Sequence, residues 1–442
     1  MSKSLIVIGG GLAGSEAAWQ AALRGVQVSL YEMRPEKLTE AHKTASLAEL
    51  VCSNSLRSND VYTGPGLLKK ELSMAGSLIM EAAYASAVPA GSALAVDRER
   101  FAEIISDRIS GNPNINVVRE EITELPDSLS VIATGPLTSG AMTKSLSERI
   151  GGDYLYFYDA IAPIIDAESI DYQKVYRASR YGKVGADYLN CPMNREEYEQ
   201  FFQAIIDSEK VNPRGFEEKM VFEGCMPIEV MASRGFDTMR FGPMKPVGLP
   251  DPNTGREPHA VVQLRTENNE MTAYNMVGFQ TRLKWPEQKR VFSMINGLEN
   301  AEFLRFGSIH RNTFINSPLF LNKDLTLKMS DNLYIAGQIS GVEGYIESTA
   351  MGMIAGINAA LRLQGKKTLN VPETTAHGAL IRHITESESR HFQPSNINFG
   401  LFPPPENAQK MRDKKLKKQV LVERAIKDWE EYLLAVSQWS RH

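Results

Sequence analysis

Cysteine is scarce in this chain of 442 residues, which carries only Cys52, Cys191 and Cys225. Three scattered thiols cannot build a disulfide framework or a zinc knuckle, and they fit a reducing cytoplasm. No metal site is expected. Long uninterrupted apolar runs are also missing, so no segment is expected to cross a bilayer. The opening MSKSLIVIGGGLAGSEAAWQAAL has the apolar look of a leader, but its glycine cluster and the early Glu16 mark it as strand, turn and helix. Positive charge is not in excess: 49 basic against 53 acidic residues leave −4, which excludes a general basic coat for nucleic acid but permits a local basic patch. What remains is enough apolar sequence for two domains around separate cores.

The segment SLIVIGGGLAGSEAAWQAALRGVQVSLYEMRP has a definite order of strand, glycine turn, helix and strand. Gly9, Gly11 and Gly14 carry the GxGxxG spacing. The first glycine permits the tight turn, the second lets backbone approach a pyrophosphate, and the third lets helix and strand pack closely. The helix N-terminus then faces the phosphates. Eighteen residues after Gly14, Glu32 ends the second strand, where a carboxylate binds ribose hydroxyls, with Arg34 beside it. INVVREEITEL and SVIATGP suggest further strands, the latter reaching a cofactor crevice at Thr134 and Gly135.

Between about 155 and 305 the texture changes to Tyr, Met, Pro and Asn, with NREEYEQFFQAIIDSEKV as a helix and HAVVQLRTEN and AYNMVGFQTRL as strands. DNLYIAGQISGVEGYIESTAMGMIAGINAALRL then returns to the opening texture, with a strand into Gly337, a glycine loop, and a long helix whose small residues include Gly352, and both Gly337 and Gly352 are expected to bind the cofactor. INFGLFPPP reads as an extended stretch. The fold class expected is α/β: a Rossmann-like FAD-binding domain built from both ends of the chain (1–155 and 305–442), with an inserted mixed α/β domain at 156–304. FAD is preferred to a nicotinamide because the two-ended organisation suits a larger cofactor lying across the sheet edge. With no second GxGxxG for tightly held nucleotide, NADPH or NADH is expected only as a transient reductant.

The polar run ELVCSNSLRS surrounds Cys52 with Ser53, Asn54, Ser55, Arg57 and Ser58, a setting in which a nearby arginine favours thiolate. Cys225 lies in the loop-like FEGCMPIEVMASRGFDTMRFGPMKPVGL, whereas Cys191, in YLNCPMNREEY, reads as structural. Together GGGLAGSEAA, ELVCSNSLRS, FEGCMPIEVMASRG, TMRFGPMKPVGL and LYIAGQISGVEGYIES closely resemble the folate- and flavin-dependent bacterial tRNA (uracil-5-)-methyltransferases, over nearly the whole chain.

That resemblance implies 5-methyluridine formation in the T-loop of tRNA, with carbon from 5,10-methylenetetrahydrofolate and reducing power from reduced FAD. The chemistry is coherent, because a thiolate adding at uracil C6 makes C5 nucleophilic toward a one-carbon unit at the formaldehyde level. That carbon needs a hydride to become methyl, and a base must take the C5 proton. The resemblance puts Cys225 at C6 and Cys52 at the C5 proton, although sequence leaves the two roles exchangeable. It also implies that His310, in FGSIHRNTFINSP, stacks on the folate ring, with Tyr345 a weaker candidate for the same site.

For tRNA phosphates, the candidates are Arg282 and Lys284 in TRLKWPEQKR, beside Trp285 as a possible base-stacking platform, and Lys414 and Lys415 in the C-terminal helix. From Lys410 to Lys427 that region carries eight basic and two acidic residues. No obligate protein partner is expected. Two rival readings are a flavoprotein of the wobble-uridine carboxymethylaminomethyl type and a non-catalytic flavin-binding scaffold.

Overall fold

A computed structural model of the chain describes residues 4–39, 41–151, 155–160, 162–182, 186–211, 226–268, 270–307, 309–405 and 413–440. Leu5, Val7 and Ile8 are buried in the strand Ser4–Ile8 (β1), and the chain turns at Gly9, φ +101°, into the helix Leu12–Leu23 (α1). It returns as Gln27–Tyr31 (β2), parallel to β1. Six strands form this sheet, in the order Thr326–Leu327, Ser330–Ile335, Ser130–Ile132, β1, β2, Ile115–Val118. All neighbours are parallel except the edge hairpin of the first two. The strand Ser330–Ile335 therefore lies two places from β1, with Ser130–Ile132 between them, and both ends of the chain build one sheet.

Helix Tyr345–Leu363 packs on α1 through glycines. A Cβ at Gly352 would lie 2.1 Å from the Ala13 carbonyl oxygen, and one at Gly356 would lie 2.4 Å from that of Ala17. Only the absence of side chains lets these two backbones touch, so Gly352 belongs to the helix crossing beneath the nucleotide loop. The helix Lys414–Ser440 is fastened to the same unit by Trp429. Its indole Nε1 donates to the Glu71 carbonyl at 2.8 Å and its ring stacks on His377 at 4.2 Å, while His377 Nδ1 meets the Glu71 carboxylate at 2.7 Å. Truncating so enclosed an aromatic costs about 3–5 kcal/mol.

A second, antiparallel sheet runs in the order Tyr176–Arg177, Tyr188–Met193, Ala260–Thr266, Ala273–Met276, Ile164–Asp166, Phe303–Arg305. Its core draws on residues from Ile165 to Ala301, including Cys191, whose thiol is fully buried and pushed well above its usual pKa by desolvation. The first core draws on Leu5 to Ile150 and Phe314 to Val436.

Several elements are shorter than their sequence pattern suggests. The strand in INVVREEITEL stops at Val118, and that in SVIATGP stops at Ile132, leaving Thr134 and Gly135 in a loop. In AYNMVGFQTRL only Ala273–Met276 is strand, because Gly278 takes φ +77° and turns the chain. INFGLFPPP is not extended throughout: the Asn398 side chain accepts from Gly400 N at 2.9 Å and starts the helical turn Phe399–Leu401. Among the described residues no helix is long and apolar enough to cross a membrane, and no cluster of His, Cys, Asp and Glu is arranged to hold a metal ion.

Candidate active site

At the C-terminal ends of the parallel strands lies an open cleft. The turn after β1 lines it with Gly9 and Gly11, the end of β2 with Glu32 and Arg34, and the loop after Ser130–Ile132 with Gly135. Gly337, Gln338 and Tyr345 close it from the other end of the chain.

The three glycines of the first motif are not equivalent. A Cβ at Gly14 would lie 1.8 Å from the Gly9 carbonyl oxygen and one at Gly9 would lie 2.5 Å from that of Ala133, so both are demanded by packing. At Gly11 a Cβ would meet nothing within 4 Å. The space it leaves belongs to the cleft at the start of α1, where backbone N–H groups face outward, and a pyrophosphate fits there. Gly135, φ +70°, is likewise open, while Gly337, φ +81°, presses on Ala13.

Glu32 is buried, with Oε2 accepting from Gly10 N at 2.8 Å and Oε1 accepting from Arg34 N at 3.0 Å and Arg34 Nε at 2.8 Å. Burial works against its charge, but the hydrogen bonds and charge of Arg34, with the Gly10 amide, outweigh it and hold the carboxyl below its usual range. It is therefore an anionic acceptor at the place a ribose would occupy. Arg34 also pairs with Glu49 at 3.0 Å, so its part is to fix the two carboxylates rather than to face solvent.

Cys52 lies at the seam between the two sheets. Its amide donates to the Tyr345 phenolic oxygen at 2.8 Å, and the Ser53 amide donates to the same oxygen at 3.2 Å. The Cys52 carbonyl accepts from Arg98 at 3.0 Å and from Arg305 at 2.9 Å. Arg265 donates to Asn54 Oδ1 at 3.0 Å and to Ser53 Oγ at 2.9 Å, and Asn54 Nδ2 donates to the carbonyls of Val96 and Thr266. Arg57, the arginine expected to serve Cys52, instead pairs with the buried Glu347. The sequence motif found the thiol, and the cations around its loop come from elsewhere in the chain.

A family model described as glucose inhibited division protein A matches residues 4–367. The chain is 59% identical over 430 residues to the methylenetetrahydrofolate–tRNA-(uracil-5-)-methyltransferase TrmFO of Natranaerobius thermophilus, covering 97% of this chain and 99% of that protein. It is 58% identical over 438 residues to the protein of the same description from Geobacter sulfurreducens, covering 99% and 100%. The chain belongs to the TrmFO family. Its fold matches that of Aquifex aeolicus GidA, with a TM-score of 0.68 at 17% identity, over 99% of this chain and 77% of that one.

Other residues singled out in the sequence fall in different places on this TrmFO-family chain. Cys225 lies outside the described residues, which resume at Met226. His310 is in the strand Ile309–Phe314, opposite Asp159. Arg282 is tied to the buried Glu229 through both its backbone N and Nε, at 2.9 and 3.2 Å, and so shapes its own loop. Lys284 is exposed and pairs with Glu209 at 2.6 Å. Trp285, 62% exposed, stacks on Phe306 at 5.6 Å. Lys414 opens the C-terminal helix, and Lys415 is exposed on it. Arg98, Arg265 and Arg305 were not legible: no local pattern shows that residues so far apart close on one loop.

Proposed function

We propose that this protein methylates C5 of a uridine in tRNA, with FAD in the cleft, 5,10-methylenetetrahydrofolate as carbon donor, and NADPH or NADH as transient reductant. One observation carries the reading: Tyr345, at the start of the helix Tyr345–Leu363 and lining the nucleotide cleft, holds the amide of Cys52. A polar-caged cysteine thus adjoins a cleft shaped for a dinucleotide. Near-complete alignment at 59% identity with a protein named for this activity supports it. The cytoplasm is the compartment this reading implies.

The division of labour follows from the residues. Gly11 and the start of α1 receive the pyrophosphate, and anionic Glu32 receives the ribose hydroxyls. When bound, the reduced flavin supplies the hydride that brings the transferred carbon to the methyl level. The Cys225 thiolate adds at uracil C6, placing carbanion character at C5, which attacks the one-carbon unit as a C–N bond to that carbon breaks and its electron pair returns to nitrogen. Cys52 then takes the C5 proton, and departure of the Cys225 sulfur from C6 restores the aromatic base. Tyr345 contributes by fixing the Cys52 amide, and His310 by stacking on the folate ring. Lys284, Trp285, Lys414 and Lys415 contact the RNA. The two cores support a division into a nucleotide domain at 1–155 and 305–442 and an inserted domain at 156–304.

Trapping with tRNA containing 5-fluorouracil tests the assignment, since fluorine at C5 blocks proton removal. A stable covalent complex should form with the parent and with Cys52→Ala and be lost in Cys225→Ala; persistence in Cys225→Ala would refute it.

A further inference from the structure

Arg98 and Arg305 converge on a single carbonyl oxygen, that of Cys52, and each also holds the preceding backbone: Arg98 donates to Leu50 O at 2.6 Å, and Arg305 to Val51 O at 3.1 Å. Two guanidinium groups on one acceptor repel each other, and a loop needing only mechanical support has no use for the second charge. Arg98 is compensated by Glu267, whose Oε2 lies 2.5 Å from its Nε. Arg305 has no carboxylate at ion-pair distance among the described residues, and its buried Nε has no hydrogen-bond partner. Burial and the charge of Arg98 press its pKa down to about 10, which still leaves it cationic at neutral pH.

The groups facing the loop come from several elements. They are Arg98 at the start of the helix Arg98–Ser110, Arg265 and Glu267 at the end of the strand Ala260–Thr266, Arg305 at the end of Phe303–Arg305, and the Tyr345 phenol. Counting Arg98, Arg265 and Arg305 against Glu267 leaves two positive charges in excess. The charge of the Cys52 thiolate reaches Arg98, Arg305 and Tyr345 electrostatically.

The geometry points to Arg305 as a positioning residue for Cys52: from the second sheet it grips the Val51 and Cys52 carbonyls and brings a cation with no ion-paired carboxylate among the described residues to the residue whose thiol it holds as the anion. The inference rests on Cys52 acting as the base in the proposed reaction. It adds that the second sheet, which contains no cleft-lining residue, sets the ionisation of that base.

The test is the rate of Cys52 alkylation by iodoacetamide across pH 5 to 10, read on the Cys52 peptide by mass spectrometry in the flavin-bound, full-length protein. Arg305→Met should move the midpoint up by about one pH unit, so that alkylation near pH 7 slows by about tenfold. Arg305→Lys, which keeps the charge, should retain the parental midpoint and covers the case in which Arg305→Met does not fold. Arg98→Met removes an already compensated charge and should shift the midpoint less than Arg305→Met. A parental midpoint in Arg305→Met, or a shift in Arg305→Lys as large as that in Arg305→Met, would overturn the proposal. A shifted midpoint with unchanged kcat would sustain the hold of Arg305 on the thiol while removing Cys52 from the base role, so the two failures are distinguishable.

Discussion

The phenolic oxygen of Tyr345 accepts a hydrogen bond from the amide of Cys52 at 2.8 Å, joining residues 293 positions apart. Burial, reinforced by the nearby Cys52, pushes the phenol well above its usual pKa, so it remains a neutral hydroxyl at every pH of interest. Tyr345→Phe leaves the Cys52 and Ser53 amides without their acceptor, at about 1 kcal/mol for each hydrogen bond. The expected result is a fall in kcat of about tenfold with flavin content unchanged. Steady-state methylation beside a visible spectrum measures both.

Gly11 and Gly14 are expected to fail in different ways. A Cβ at Gly11 enters open cleft, whereas one at Gly14 would lie 1.8 Å from the Gly9 carbonyl. Gly11→Ala should purify folded but depleted of flavin, and Gly14→Ala should lose several kcal/mol of stability, about the size seen for overpacking or more. Flavin content and thermal unfolding of the flavin-free proteins separate the two.

Glu16, buried in α1, has its pKa raised by desolvation from 4.5 to about 7, against the hydrogen bonds it accepts from Gln20, Ser77 and the Ile79 amide. The folded chain then keeps a proton that the unfolded chain releases above about pH 4.5. Stability from this group is full below that pH, declines as pH rises toward 7, and is level above it. The full span is on the order of 3 kcal/mol. Glu16→Gln should flatten the decline in urea midpoint between pH 5 and 7.

Trp285 stands exposed at the end of a stacked series in which Phe306 follows at 5.6 Å and Phe303 lies 5.1 Å beyond it. Base–aromatic stacking is worth about 1–3 kcal/mol. Trp285→Ala should therefore raise the tRNA KM about tenfold and leave the folate dependence alone. An unchanged tRNA KM would exclude the contact.

How much of this could be read from the chain depends on the range over which each signal acts. The turn between β1 and α1 was legible because glycine spacing, apolar alternation and Glu32 all lie within one short segment. The return of the 330s to the same sheet was legible because apolar strand and small-residue helix recur together. Arg282 looked like a phosphate contact only because its acid, Glu229, lies 53 residues away. Gly352 looked like a cofactor glycine, yet it serves Ala13 across a helix crossing that no local pattern specifies. Separation in the chain likewise hid the arginines at Cys52, which sit at positions 98, 265 and 305 while the loop they hold is residues 50 to 54.

The account rests on a thiol-activated uracil receiving its carbon from folate beside a reduced flavin. The most direct measurement is to incubate the flavin-bound protein, NADPH and unmodified tRNA with isotopically labelled 5,10-methylenetetrahydrofolate, and to locate the label by nucleoside mass spectrometry. The account predicts label in the C5 methyl group of uridine, absent without folate. Unlabelled methyl that appears only when S-adenosylmethionine is added would contradict it.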